Sequence, residues 1–526
     1  MLSDPGFPTD PFQVLAARTG DTAANWRAAF TSMLRAQEHS VVIFAASNDP
    51  GLVDIDLSAG LPLILPELRG PWLAVVNVDG NGVLQSVHCG SAAQFCLAGP
   101  GTGIFSSDLG SSYSVKSGTS MATPHVAGAV AIAREMFPRA TPTQLAALIL
   151  QTATDIGEPG VDEEFGWGML NLGNIAATLD PRAAGAFAFA SAAQFEALGQ
   201  FGSALAAQLG SGGSGGSGVG FAGQPEARYA SLRLDERAAR VGFAANRAGA
   251  LWVTAFHGRA RLGAGPASPG MRTRADGVIA GLDVLATEDW RLGAAAGYSR
   301  STTHSRGGAD TSEARGFHLA AYADWTGEAI FARAVGQVGM FDQTFLRRAI
   351  PGAVGTSATP VGRSQASSLA GEIDGRLGVT LPLAGHTIQP YVSFVGRFRR
   401  TEAFQETGAG IFSLFVPGSS QMQAEAGPGI RWASPAVDFG GASARLALDL
   451  GYARVMGSRV AGFDAQLLGT RIAQRGVDPG PDVLRVGSEL VLQDANERLS
   501  ATLAWNGRFQ RRAESHTLSA RLRLAF

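Results

Sequence analysis

From about residue 250 to residue 526 the chain alternates with a period of two, and this limits its fold more than any other feature. Leu446, Leu448, Leu450 and Tyr452 alternate with Ala447, Asp449 and Gly451. Leu499, Ala501, Leu503 and Trp505 alternate with Ser500, Thr502, Ala504 and Asn506. Leu292, Ala294, Ala296 and Tyr298 alternate with small or polar residues, and the last segment sets Leu518, Ala520, Leu522, Leu524 and Phe526 opposite Ser519, Arg521 and Arg523. Successive side chains of a strand point to opposite faces, so each segment has one apolar and one small or polar face. Short turns (287–289, 326–327, 494–496) alternate with longer polar or Gly-rich loops (301–314, 341–364, 401–419, 457–480). Twelve such strands, an even number, predict a closed antiparallel transmembrane β-barrel over 250–526, with both chain ends of the barrel on the periplasmic side. A soluble sandwich would have shorter strands. Trp252, Trp290, Trp325, Trp432 and Trp505 fall in this region, several near strand ends where an aromatic girdle would sit. No stretch of about 18 apolar residues is present, so no transmembrane helix is expected.

Residues 1–180 follow another pattern. Helical periodicity covers 23–37, and Val41–Ala46 and Trp72–Val78 are continuous apolar runs that read as buried parallel strands. Helices are predicted over 119–137, closed by Pro138, and 141–153, opened by Thr141 as N-cap and Pro142 as the first helical residue. This α/β part holds 7 Lys+Arg and 17 Asp+Glu, whereas the remainder holds 35 and 27, as expected of two units with different surroundings. Lys116 is the only lysine. With a net charge of −2 and 16% charged residues, neither a disordered chain nor a generally basic nucleic-acid binder is indicated. Residues 181–223, Ala-rich and then a Gly/Ser repeat, read as a linker. Residues 224–249, with several Arg among small residues, read as a helical segment entering the barrel pore.

Cys89 and Cys96 are the only cysteines, and no Cys/His constellation for a metal is present. Their spacing suits one local disulfide, worth about 2.5 kcal/mol by loop closure in an oxidising compartment, or two buried thiols. The most informative stretch is Ser117-Gly118-Thr119-Ser120-Met121-Ala122-Thr123-Pro124-His125-Val126-Ala127-Gly128. Gly118 suits a tight turn, Thr119 or Ser120 can cap the following helix, and Ser120 then lies at a helix N-terminus. Backbone N–H groups there favour developing negative charge.

This stretch resembles the serine motif of the subtilisin-like (S8) peptidases. The resemblance implies that Ser120 is the nucleophile and that His125 is a structural histidine. Ala45-Ala46-Ser47-Asn48-Asp49 is similar to the family's oxyanion-hole loop, which implies that the Asn48 amide faces the oxyanion; Ser47 stands where the family usually has Gly. His88-Cys89-Gly90 through Cys96-Leu97-Ala98-Gly99-Pro100-Gly101 resembles surface-exported members with a Cys pair there. Phe165-Gly166-Trp167-Gly168 with Leu170-Asn171 resembles the end of the peptidase domain. Residues 250–526 resemble the autotransporter translocator domain, through Leu251-Trp252-Val253, Gly277 to Asp283, Trp290-Arg291-Leu292-Gly293, Gly297-Tyr298-Ser299, Pro390-Tyr391 and the terminal Leu522-Arg523-Leu524-Ala525-Phe526. That implies recognition of the C-terminal strand and Phe526 by the barrel-assembly machinery.

The family's Asp-Ser/Thr-Gly and His-Gly-Thr motifs should precede Asn48. Only His39 does so among histidines, flanked by Glu38 and Ser40, and Asp21-Thr22-Ala23 lacks the glycine. Both read as surface residues. The expectation is a fold of several domains, in which the C-terminal half of a subtilisin-like α/β domain (1–180) precedes the barrel. The N-terminal half and a signal peptide are expected to be absent from these 526 residues. The function expected is a surface-exported serine endopeptidase carried by its own outer-membrane translocator, catalytically incomplete as written. The alternative is a non-enzymatic outer-membrane barrel with a degenerate passenger. The expected partners are a protein or peptide substrate and outer-membrane lipid; no cofactor, metal or nucleic acid is expected.

Overall fold

The computed structural model describes residues 10–49, 52–181, 185–210, 249–265, 270–287, 289–306, 310–347, 361–460 and 462–525. The first part comprises α1 (Pro11–Thr19), α2 (Ala23–Gln37), β1 (Val42–Ala45), α3 (Leu61–Ile64), β2 (Trp72–Val78), β3 (Cys96–Pro100), β4 (Ile104–Asp108), β5 (Ser112–Lys116), α4 (Thr119–Met136), α5 (Pro142–Gln151) and α6 (Leu172–Ala177). Strands β1, β2 and β3 form a parallel sheet in that order. All seven residues of β2 are buried, which explains its unbroken apolar run. Leu73 and Val75 face the cluster with Val126 and Ile149, whereas Trp72, Ala74, Val76 and Val78 face the cluster that includes Leu15. Strand β1 differs from its expected burial: it pairs with β2 alone and is half-buried throughout. Thr141 caps α5 by a capping box, its Oγ1 accepting from the Gln144 N–H while the Gln144 Oε1 accepts from the Thr141 N–H.

The helix α7 (Gly185–Gly210) leads into the second part. There follow β6 (Ala250–Leu262), β7 (Met271–Ala286), β8 (Trp290–Ser305), β9 (Thr311–Thr326), β10 (Ile330–Arg347), β11 (Gly362–Val379), β12 (Leu381–Leu383), β13 (His386–Thr401), β14 (Phe404–Gln405), β15 (Phe415–Val416), β16 (Ser419–Ala433), β17 (Val437–Phe439), β18 (Ala442–Gly457), β19 (Gly462–Leu467), β20 (Thr470–Arg475), β21 (Asp482–Asp494), β22 (Leu499–Phe509) and β23 (Ala513–Ala525). Twelve of these close an antiparallel barrel, in the order β6 to β11, β13, β16, β18, β21, β22 and β23, with β23 pairing back to β6. Strands β12 and β17 extend neighbouring hairpins, and β14, β15, β19 and β20 form a separate sheet from the two longest loops.

The alternation sorts side chains as the sequence predicts. Leu518, Leu522 and Leu524 point out to the lipid face, whereas Ser519, Arg521 and Arg523 are buried in the lumen. Several positions depart from expectation. Residues 301–305, 311–314, 341–347 and 362–364, read as loop, belong to β8, β9, β10 and β11, because period-two alternation persists there, largely among polar residues; Thr273 and Thr303 hydrogen-bond across the strands at 3.0 Å. Trp252 is 1% exposed and is not a girdle residue: its Nε1 donates to Tyr322 Oη at 2.9 Å inside the barrel. Trp290 and Trp325 do sit together at a strand end, ring centroids 6.4 Å apart.

The lumen holds α7, a stretch expected to belong to a flexible linker. The segment 224–249, expected to enter the pore, lies outside the described residues except for Gly249. The sequence reading asked a pore helix to be polar; α7 is largely apolar, and here the barrel wall supplies the charge. Gln337 Nε2 donates to Leu198 O and Arg521 Nη2 to Ala204 O, so the helix offers backbone carbonyls. Gln194 reaches Gln343 and Ser368, and Glu196 pairs with Arg508 at 3.5 Å. Elsewhere Phe201 and Leu205 pack on an apolar stripe with Trp252, Phe256 and Ile279. Around them run buried ion pairs: Asp324 with Arg291 and Arg333, and Glu425 with Arg397, Arg485 and Arg508. Beside α7 remains a polar cavity of about 180 Å³, lined by Glu196, Arg376, Arg397 and Arg508 among others.

Several wall glycines are required by neighbouring aromatic rings. A Cβ on Gly281 would lie 2.1 Å from Cζ2 of Trp252, whereas one on Gly336 would meet nothing within 4 Å. Overpacking of this kind costs about 1–3 kcal/mol. Gly281→Ala is therefore expected to lower the temperature at which the barrel loses its heat-modifiable gel mobility, and Gly336→Ala to leave it within error of the parent. Equal temperatures for the two variants would refute the packing of Trp252.

Candidate active site

Strand β3 and helix α4 meet at a crowded junction. The Gly118 N–H donates to Gly101 O at 2.8 Å, and a Cβ on Gly101 would lie 2.5 Å from Asn77 Oδ1 and 2.6 Å from Gly118 O. Gly118 has φ +146°, and a Cβ there would touch Asn48 Nδ2 at 3.0 Å. Only glycine fits both the backbone conformation and the space. Gly118 is the N-cap of α4 and carries no side-chain cap bond, so neither Thr119 nor Ser120 caps this helix as expected. The acceptor comes instead from 71 residues away: Asn48 Oδ1 accepts from the Thr119 N–H at 2.8 Å and from Thr119 Oγ1 at 3.2 Å.

This bond orients the Asn48 amide. Its oxygen faces the helix, which leaves the Nδ2 hydrogens to donate elsewhere. Ser120 is the second residue of α4 and is exposed. The sequence stretches containing Asn48 and Ser120 thus converge at one helix N-terminus, where the helix dipole favours negative charge; the Gly118, Thr119, Met121 and Ala122 N–H groups there already have acceptors. Pro124 lies within α4 and has no N–H for the carbonyl four residues back, that of Ser120. His125 Nδ1 lies 2.9 Å from Met121 O, a contact within the helix.

His39 and Asp21, read as surface residues, are exposed. The His39 side chain is 86% exposed, and its carbonyl accepts from Arg134 Nη2 at 3.1 Å. Arg134 is in the last turn of α4, roughly 20 Å along the axis from Ser120 at 1.5 Å per residue. Asp21 accepts from the Thr22 N–H and from Asn25 Nδ2 at the start of α2. Among the described residues no hydrogen bond joins the Ser120 hydroxyl to a histidine.

Strand β5 delivers the chain to Ser120, and its hairpin with β4 is exposed. Phe105 and Tyr113 stack on it with centroids 5.4 Å apart. Lys116 Nζ donates to Asp108 Oδ1 at 2.8 Å, and this bond, with that from Ser114, holds the Asp108 carboxyl well below the usual carboxylate range. At the head of β3, Cys96 is bonded to Cys89, with Cα atoms 5.8 Å apart. The Phe165–Gly168 stretch runs beside β3: the Trp167 N–H donates to Cys96 O, and Gly168 O accepts from the Ala98 N–H. A Cβ on Gly166 would lie 2.2 Å from Cys96 O, which explains that glycine.

Comparison with known proteins gives two family matches. Residues 13–168 match the subtilase family and residues 251–506 the autotransporter β-domain. An extracellular serine protease of Serratia marcescens is 33% identical over 169 residues, 27% of this chain and 16% of that protein. The autotransporter lipoprotein NalP of Neisseria meningitidis is 36% identical over 152 residues, 26% of this chain and 14% of that one. The chain thus spans about a sixth of the length of these relatives. The solved translocator domain of NalP superposes with a TM-score of 0.43 at 12% identity, covering 55% of this chain and 90% of that one. The chain thus carries, in order, a segment similar to the subtilase family and a closed twelve-stranded barrel similar to the autotransporter β-domain of the outer membrane.

Proposed function

We propose that the surface segment belongs to a serine endopeptidase in which Ser120 is the nucleophile and Asn48 an oxyanion donor. The observation that carries this reading is the clamp between Asn48 Oδ1 and the Thr119 N–H, beside an exposed Ser120. In the reaction, Ser120 Oγ attacks the substrate carbonyl, and negative charge develops on its oxygen. The Asn48 Nδ2–H and the helix N-terminus would face that charge. Removing the corresponding donor in subtilisin costs about 2.7–4 kcal/mol. The substrate is a protein or peptide, as in the family.

A serine hydroxyl is a poor nucleophile until a base takes its proton, and that base is a histidine oriented by a carboxylate. Among the described residues no histidine and carboxylate pair is hydrogen-bonded to Ser120, so we propose that these 526 residues by themselves hydrolyse unfolded casein only at the background rate. With the family's Asp- and His-bearing segments supplied in cis, hydrolysis should appear. Ser120→Ala should then lower kcat by about 10⁶, and Asn48→Ala by about 10²–10³. Ser120-dependent cleavage by the 526 residues alone would refute incompleteness, and equal cleavage by Ser120→Ala would refute the nucleophile.

Two further expectations concern export. Cys89 and Cys96 should be recovered as one cross-linked peptide when surface material is mapped by mass under non-reducing conditions; two alkylatable thiols would contradict this. The barrel-assembly machinery is proposed to recognise the C-terminal strand with Phe526, which lies outside the described residues. Deleting Leu524-Ala525-Phe526 should sharply lower outer-membrane levels, and unchanged levels would count against that partner.

A further inference from the structure

Helix α5 buries more than one face. Pro142, Leu145, Ala146, Leu148, Ile149 and Leu150 are all buried in a helix of ten residues. A helix apolar over most of its circumference must be covered on several sides. One side rests on β2 and α4. The cover on another side comes from the barrel, where α5 meets the turn Gly410–Phe412 between β14 and β15. A single apolar cluster runs from Phe137, Leu145 and Ile149 to Phe412, Leu467 and Ile472.

The polar contacts at this boundary are specific. Thr470 Oγ1, in β20, donates to Met136 O at 3.0 Å. Met136 ends α4, and the last four carbonyls of a helix lack partners within it, so the barrel satisfies a group the helix leaves open. Gln474 Nε2 donates to Pro181 O. The Arg139 side chain, between α4 and α5, lies against Gly469 at the β19–β20 turn, where a Cβ would come within 3.0 Å of Arg139 Cβ.

We propose that the outer mouth of the barrel is a docking platform for the chain's own surface segment. The sheet β14–β15–β19–β20 receives the α4–α5 corner, residues 136–151, completes its apolar core and holds the segment over the pore after export. The platform's chemistry suits this occupant: aromatic and aliphatic side chains face an apolar helix, ringed by donors to two backbone carbonyls. Without the occupant, Phe412, Leu467 and Ile472 would lose much of their cover at the water-facing end of the barrel. Catalysis by Ser120 plays no part in the argument.

The test uses intact cells displaying the full chain. Arg139→Cys combined with Thr470→Cys should be joined by a short bismaleimide into a species of altered gel mobility, and neither single variant should be; the native cystine does not react with maleimide. In a second variant, Phe412→Asp, Leu467→Asp and Ile472→Asp together should leave the barrel heat-modifiable. External protease should then degrade the surface segment at least about tenfold faster, since opening of a local unit governs cleavage. Unchanged digestion of the surface segment with a folded barrel would overturn the proposal. If the triple variant fails to insert, the cysteine pair decides, and absence of the cross-link overturns it.

Discussion

The pairing of β23 with β6 is the constraint on which the rest depends. Ladder pairs run from Ala513↔Leu262 to Ala525↔Ala250, and they join the last strand of the barrel to its first. In lipid an unpaired N–H or C=O has no water to turn to, so a sheet can cross only if it has no edge. Closure then dictates the two faces. Leucines such as Leu446, Leu450 and Leu503 must point out, and whatever points in must satisfy itself. The lumen does so with ion pairs, among them Arg523 with Asp283 at 3.2 Å, and with the groups of α7. A buried ion pair is weak evidence for stability, because desolvation offsets much of the attraction. Here it makes the removal of either partner costly, and so it keeps the lumen in one arrangement.

The surface segment depends on a closure of a different kind. Its sheet has three strands, and its most sensitive junction is not a strand pair but the contact of Asn48, Gly101 and Gly118 around the start of α4. Three loops distant in sequence touch there within van der Waals limits. An added methyl group on Gly101 would push on Asn77 and one on Gly118 on Asn48, so both glycines keep these side chains in place beside the start of α4.

Most of the barrel was legible in its sequence because period two is unambiguous when one face meets lipid. Polar strand ends such as Thr302–Ser305 were not, since alternation between polar residues leaves no hydrophobic signal. The pore helix was missed for a related reason. Its residues are chiefly Ala, Gly, Phe and Leu, a composition that says little alone, and its polarity is borrowed from Arg521 and Gln337 in the wall. The stretch from Ser117 to Gly128 located α4 and Ser120 by resemblance. The cap from Asn48 to Thr119 could not be read, because a contact across 71 residues leaves no local pattern. The same holds for the cover over α5: its apolar circumference was visible, but not which surface would meet it.

The fit of α7 to the wall has a consequence for geometry. A Cβ on Gly202 would lie 2.1 Å from Glu372 Oε1, and one on Gly258 would lie 2.0 Å from Gln200 Oε1. Helix and wall therefore interlock like a key in its ward. A slip of one residue would turn α7 by about 100° and move it by about 1.5 Å, bringing larger side chains to those notches. The pore thus fixes the compass bearing and the height at which the chain leaves the membrane.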